Sequence, residues 1–219
     1  MTPSRPLQIK YVFFDIGGVL INDFSGNGGH DELLEELGAT PSTRHKFENI
    51  WSVWEPWACL NADVDDLLPI LTATGFNPPH PTYSLLDHGL VKRFRPNHSI
   101  WPLVDGLQPH RCGIISNMYP RMRNLIQEQT LLPPAIAKWF NILDSSELGL
   151  QKPNIDIFEY AAATVSYSPS EILFVDNMAD NLIAPQTLGW QVFHYDSTDH
   201  RSSVAQLSRI LEDSSVVIQ

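Results

Sequence analysis

The sequence predicts an α/β fold, an open parallel sheet wrapped by helices, and three observations predict it. Short apolar, β-favouring runs recur at 9–15 (IKYVFFD), 112–116 (CGIIS), 171–176 (EILFVD) and 190–196 (WQVFHYD), with a weaker fifth at 140–144 (FNILD). These runs are apolar throughout rather than alternating, the pattern of strands buried on both faces of a parallel sheet. Stretches of helical pattern separate them, and strands alternating with helices argue for an open sheet with helical crossovers. Such crossovers are right-handed, and ligands bind beyond the carboxyl ends of the strands.

Taken in order, the first run reads as a central strand that ends in Asp15 and is followed at once by Gly17 and Gly18. Residues 24–96 then break the rhythm. HDELLEELG, TRHKFENIWSVW and DVDDLLPILTATG read as helices, and NPPHP and RPN punctuate the end. The expectation is a core domain of residues 1–23 and 97–219, Rossmann-like, with a helical insertion at 24–96. SGNGG (25–29) lacks the Lys-Ser/Thr ending of a P-loop and reads as a hinge. Trp51, Trp54 and Trp57 read as one helix face packed inside the insertion, with Pro56 bending or ending that helix. Beyond the insertion, NHSIWPLVDGL, YPRMRNLIQEQTLL, NIDIFEYAAATV and MADNLIAPQTLG supply the helices between strands. Serines near the C-terminus suggest a frayed end. NHS (97–99) matches a glycosylation pattern that carries little weight without a secretion signal.

Composition narrows the class. With 219 residues, 43% hydrophobic and 18% charged, the chain suits one domain with a sizeable insertion. A formal net charge of −11 argues against a general nucleic-acid or anionic-membrane binder. Two distant cysteines, Cys59 and Cys112, form neither a disulfide framework nor a zinc spacing. No apolar run approaches the ~20 residues that span a bilayer, and MTPSRPLQIK holds no long apolar segment. The expectation is a soluble cytoplasmic protein, monomer or homodimer, acting on a small molecule.

Three polar groups stand at or just after strand ends, namely Asp15, Ser116 and Asp176, and Lys152 lies in the loop GLQKPNIDIF that runs into a helix. The ends of parallel strands share one rim, so these four can converge. A carboxylate there could attack phosphorus and split one displacement into two easier ones. Two anions approach only if charge is neutralised, and Mg²⁺ suits a site with two carboxylates and several waters. Lys152 adds a fixed positive charge, and Ser116 and backbone N–H groups can donate to phosphoryl oxygens. Glycines after Asp15 let the backbone come close to a phosphate.

FFDIGGVL, GIISN, GLQKPNIDIF and LFVDNMADNLIAPQTLG together resemble, in order and spacing, the four motifs of the haloacid dehalogenase-like hydrolase superfamily. The resemblance covers nearly all the chain outside 24–96 and implies a helical cap of the type inserted after the first motif. It matches Asp15 to the nucleophile, Ser116 to the phosphate ligand of the second motif, Lys152 to the lysine of the third and Asp176 to the metal ligand of the fourth. It also implies that Asn117 and Gly18 line the phosphate pocket, and that the Gly17 carbonyl joins Asp15 and Asp176 on Mg²⁺.

The sequence departs from that pattern twice. Phosphatases of the family usually carry a second aspartate two residues after the nucleophile, which protonates the leaving oxygen and later activates water; here that residue is Gly17. General acid–base catalysis is typically worth ~10²–10⁴-fold. Either the substrate has a good leaving group, so that alkyl phosphates react poorly beside sugar 1-phosphates or aryl phosphates, or Asp23 or His30 supplies the proton. In the fourth motif a frequent Asp-Asp pair reads Asp176-Asn177; Asp180 could complete the metal shell or simply face the helix dipole. Arg121 and Arg123 read as solvent-facing. The function expected is a Mg²⁺-dependent phosphohydrolase for a small phosphate ester. A dehalogenase, which needs neither metal nor second aspartate, and a catalytically weak binding protein are the alternatives.

Overall fold

The computed structural model describes residues 8–24, 29–212 and 214–217. Five parallel strands form one sheet: β1 Tyr11–Phe14, β4 Cys112–Ser116, β5 Asn141–Asp144, β6 Ile172–Asp176 and β7 Gln191–His194, in the order β5-β4-β1-β6-β7. Two more strands, β2 Ile21–Asn22 and β3 Arg95–Pro96, pair antiparallel as a separate ribbon. The weak fifth run at 140–144 is therefore a strand, aligned to β4 with Ser116 opposite Asp144.

β1 is central, paired with β4 on one side and β6 on the other, and every one of its residues is buried. Tyr11 and Phe13 face one layer with Ile115, Phe158, Phe174 and Trp190, whereas Val12 and Phe14 face the other with Ile114, Leu173 and Val175. That period of two covers both sheet faces with apolar side chains, as parallel strands require. The short helix α6 Ser145–Leu148 follows β5, and helices α7 Ile155–Ala163 and α8 Ala179–Thr187 cover the first face. Helices α4 Trp101–Asp105, α5 Met122–Glu128 and α9 His200–Leu211 cover the second. Gly113 admits the Phe13 ring: a Cβ there would lie 2.7 Å from it and 2.8 Å from the Asn141 carbonyl.

Between the ribbon strands lie α1 Gly29–Glu36, α2 Arg44–Ala58 and α3 Leu68–Ala73, then a π-helical turn at Leu85–Leu90. Their buried residues, among them Leu33, Phe47 and Leu71, share a continuous apolar cluster with Leu20, Ile21 and the second sheet face. SGNGG lies almost wholly outside the described residues. Pro56 sits inside α2, which ends two residues later. The three tryptophans do not form one buried face. Trp51 is 8% exposed and stacked on Phe47, Trp54 is half-buried, and Trp57 is 62% exposed. Steps of three residues turn a helix by less than a full circle each time, so the stripe rotates out of the core.

The frayed C-terminal end is also corrected. Ser215 donates its N–H to Ile9, Gln108 bonds the carbonyls of Val216 and Val217, and Val216 is fully buried. Asn97, 1% exposed, donates to the Val19 carbonyl and the Tyr195 hydroxyl, so it bolts the returning chain to the core and is closed to glycosylation. No helix among the described residues is long and apolar enough to cross a membrane.

Candidate active site

The strand order places the site. After β1 the chain steps outward to β4 and β5, then returns to the other side of β1 for β6 and β7. The direction of winding reverses at β1, and crevices at such a switch open beyond the carboxyl ends of the strands. Asp15 follows β1, Ser116 ends β4 and Asp176 ends β6. Lys152 comes from the loop before α7.

These four meet. Ser116 Oγ donates to Asp15 Oδ1 at 2.8 Å. Lys152 Nζ stands 2.8 Å from the same oxygen and 2.6 Å from Asp176 Oδ2. All four are nearly or fully buried. Among the described residues the hydrogen bonds to Asp15 reach Oδ1, which leaves Oδ2 for the cavity that Asp15 lines. Burial pushes the Asp15 carboxyl up from 3.8 to about 6; Lys152 opposes this and the Asp176 charge adds to it. Burial alone would lower Lys152, but the two carboxylates outweigh it and hold the ammonium above its ordinary value.

Asn117 lines the cavity, yet its side chain is committed elsewhere. Its Nδ2 donates to the Lys152 carbonyl and its Oδ1 accepts from the Lys152 N–H, both at 2.9 Å. Asn117 thus lines the cavity and also braces the lysine backbone. The Gly18 N–H bonds the Ile21 carbonyl at 2.8 Å. Glycine at this residue has a steric cause. At φ +68° a Cβ on residue 18 would fall 2.2 Å from Asn177 Nδ2. Gly17 lines the cavity, and a Cβ there would fall 2.2 Å from Asp23 Oδ2. The two glycines make room for Asp23 and Asn177, side chains that arrive from other parts of the chain.

Asp176 is the pivot of the fourth motif and is already hydrogen-bonded on both oxygens. Its oxygens accept from Lys152, the Met178 N–H at 2.7 Å and Asn181 Nδ2 at 3.1 and 3.2 Å, and it is fully buried. Three donors making four contacts occupy most of a carboxylate's acceptor sites. Asp180 lies exposed in the first turn of α8 and lines the cavity. No three His, Cys, Asp or Glu side chains among the described residues gather as a metal-ligand group. The donor chemistry nonetheless suits Mg²⁺, which takes oxygen ligands, one or two carboxylates and several waters. Asp15, Asp180 and the Gly17 carbonyl offer such oxygens, and Asn177 Oδ1 is buried with no hydrogen-bond partner among the described residues.

The cavity, ≈ 750 Å³, is closed on its far side by the helical insertion. His30, Trp51, Glu55 and Cys59 contribute that wall, and Tyr119 meets Glu55 at 3.3 Å. Burial raises the Glu55 carboxyl, with hydrogen bonds from Tyr119 and Trp51 pulling it back and Asp23 pushing it further. Burial lowers His30, against the pull of Asp23, Asp31 and Glu48. Burial holds the Cys59 thiol up at about 12, which keeps it protonated and unreactive. Arg121 does not line the cavity. It is half-exposed at φ +70° and forks onto Asp63 at 2.7 Å and Asp65 at 2.9 Å, tying the loop after β4 to the insertion. Arg123 pairs with Glu147 on the surface. Glu55, Tyr119 and Asn181 escaped the sequence reading; only the placement of Asn181 one turn into the helix after Asp176 signalled any of them.

No protein-family model and no curated protein matches the sequence. Solved structures do match in shape. A predicted haloacid dehalogenase-like hydrolase from Porphyromonas gingivalis superposes with a TM-score of 0.72 at 20% identity, covering 94% of this chain and 100% of that one. An enzyme of the same family from Bacteroides thetaiotaomicron, complexed with magnesium and inorganic phosphate, gives 0.63 at 17% identity, covering 87% and 96%. The L-2-haloacid dehalogenase of Xanthobacter autotrophicus, with chloropropionic acid covalently bound, gives 0.59 at 18%, covering 96% and 85%. The strand order, the convergence at the end of β1 and these superpositions agree: the chain has the fold of the haloacid dehalogenase-like hydrolases.

Proposed function

We propose that the protein is a hydrolase of small soluble phosphate esters that works through a covalent intermediate on Asp15 and depends on Mg²⁺. One observation carries this reading: Ser116 and Lys152 clamp one oxygen of a buried carboxylate while its other oxygen is left toward a cavity of substrate size. A clamped carboxylate is oriented for attack, and the raised proton affinity of Asp15 makes it a stronger nucleophile than a solvated one. Lys152 offsets the charge that builds on the phosphoryl oxygens, and Asn117 fixes the lysine from behind.

The charge count of the site supports the metal. Lys152 is the sole lysine or arginine among the described lining residues, against Asp15, Glu55 and Asp180. Its ammonium is already shared by Asp15 and Asp176. Asp15, Asp180 and Asp176 would hold the ion, Asp176 by giving up Asn181. When bound, the ion offsets the repulsion between two anions. The magnesium and phosphate complex of the Bacteroides thetaiotaomicron enzyme supports the same chemistry by likeness of fold. A 2-haloacid would bring a carboxylate of its own, and the described lining residues offer no second lysine or arginine to receive it.

The test is a panel of phosphate esters, sugar 1-phosphates included, assayed with Mg²⁺ and with EDTA. Turnover that vanishes in EDTA and in Asp15→Asn, with a phosphoryl adduct on Asp15 trapped in the parent, is the expected result. Halide release from 2-haloacids that survives EDTA would replace the proposal with a dehalogenase.

A further inference from the structure

We propose that Asp23 carries the proton-transfer role left vacant at Gly17, an inference that rests on the phosphohydrolase reading above. A Cβ built on Gly17 would stand 2.2 Å from Asp23 Oδ2 and 3.1 Å from its Cγ. Bond lengths put the carboxylate oxygens of an aspartate at about 2.4 Å from its own Cβ. Asp23 therefore sets an oxygen within the space that a side chain at residue 17 would fill, although it enters from six residues further along the chain.

The backbone holds it there. The N–H groups of Val19, Leu20 and Ile21 all turn back onto the Ile16 carbonyl, and Gly18 closes the turn on Ile21. The ribbon pairs Ile21 with Pro96 and Asn22 with Arg95, which fixes the chain immediately before Asp23. Asp23 lines the same cavity as Asp15, half-buried. His30, the other candidate, belongs to α1 and is set among the rings of Phe24, Phe47 and Trp51, on the wall given by the insertion. Gly17 is then part of the device: any side chain at that residue would displace the Asp23 carboxylate.

The steps balance as follows. Asp15 Oδ2 bonds to phosphorus while the bond from phosphorus to the leaving oxygen breaks; that oxygen keeps the electron pair and takes the proton of Asp23. Water then bonds to phosphorus and gives a proton to the ionised Asp23. The bond from phosphorus to Asp15 breaks with its pair returning to the carboxylate, inorganic phosphate departs, and Asp23 ends protonated as it began.

The experiment compares the parent, Asp23→Asn, Asp23→Gly, Gly17→Asp and the double variant Gly17→Asp/Asp23→Gly. The substrates are glycerol phosphate, whose alkoxide needs a proton to leave, and p-nitrophenyl phosphate, whose phenolate does not. The parent should hydrolyse both with Mg²⁺. Asp23→Asn should lose about 10²-fold or more in kcat/KM on the alkyl ester. On the aryl ester it should lose less and release a burst of about one nitrophenolate per enzyme, as phosphoenzyme accumulates. Gly17→Asp alone should be impaired, because two carboxylates then claim one space. Removing Asp23 from it should restore about tenfold or more over Asp23→Gly, a coupling that independent sites do not show. Melting curves of the near-isosteric Asp23→Asn keep its activity interpretable. If Asp23→Asn matches the parent on the alkyl ester within about threefold, or the double variant is no better than Asp23→Gly, the role of Asp23 is overturned. A parent inert toward both esters overturns instead the phosphohydrolase reading beneath it.

Discussion

Replacing the proposed nucleophile with its neutral isostere should make the protein more stable. In the parent, burial raises the Asp15 carboxyl from 3.8 to about 6. An acid whose proton affinity is higher folded than unfolded binds more protons in the native state, so stability falls as pH rises through that interval. At about 1.4 kcal/mol for each tenfold, the interval amounts to about 3 kcal/mol, present below it and lost above it. Asn at residue 15 resembles the protonated form: it can still accept from Ser116 and Lys152, and the ammonium keeps Asp176. Asp15→Asn should therefore exceed the metal-free parent by about 3 kcal/mol near pH ~8, or about 6–12 °C in Tm for a chain of this size. The gap should nearly close near pH ~4, where the parent carboxyl is protonated in the native state. Urea denaturation of both proteins in EDTA at the two pH values measures it. Mg²⁺ should then narrow the gap at high pH, because it binds the ionised native parent more tightly. A variant less stable than the parent at high pH, or a gap that ignores pH, would refute the account of Asp15 as a carboxylate held ionised against its surroundings.

Two further substitutions probe the supports. Asn117→Ala removes both hydrogen bonds that brace the Lys152 backbone; it should lower kcat at least about tenfold with little change in KM, and cost about 1–3 kcal/mol in denaturant unfolding. An effect confined to KM would return Asn117 to direct substrate contact. Gly18→Ala meets both a positive φ and the Asn177 carboxamide at 2.2 Å, so it should destabilise by about 2 kcal/mol or more in the same assay. A neutral result would mean that Asn177 yields freely.

The strands and their polar ends were legible because each is local. IKYVFFD and EILFVD carry in a few residues both the apolar run that buries a parallel strand and the acid that closes it. Ser116 followed because strands in register align their ends, and Lys152 from the resemblance of its loop, GLQKPNIDIF, to the third motif. What stayed hidden depends on where distant side chains arrive. Nothing near Asn117 says that its amide meets the backbone of Lys152, and nothing near Gly18 says that Ile21 takes its N–H. The tryptophan stripe misled because spacing by three defines a drifting line on a helix, not a fixed face. The terminal serines misled because composition does not register that Val216 is the plug, with Ser215 bonded to Ile9 beside it. Asp23 stands between these cases. It was a candidate by proximity in the sequence, and only the turn back onto Ile16 sets it against Gly17.

The small ribbon at residues 21–22 and 95–96 has an evolutionary consequence. Because Asn22 lies opposite Arg95, the chain leaves the sheet and rejoins it through one narrow gate. Lengthening or shortening a segment whose two ends already touch changes closure entropy only logarithmically, about 0.6 kcal/mol for each doubling. Descendants of this gene could therefore trade the excursion between those strands for one of another size, altering what enters the crevice while leaving Asp15 and its clamp undisturbed.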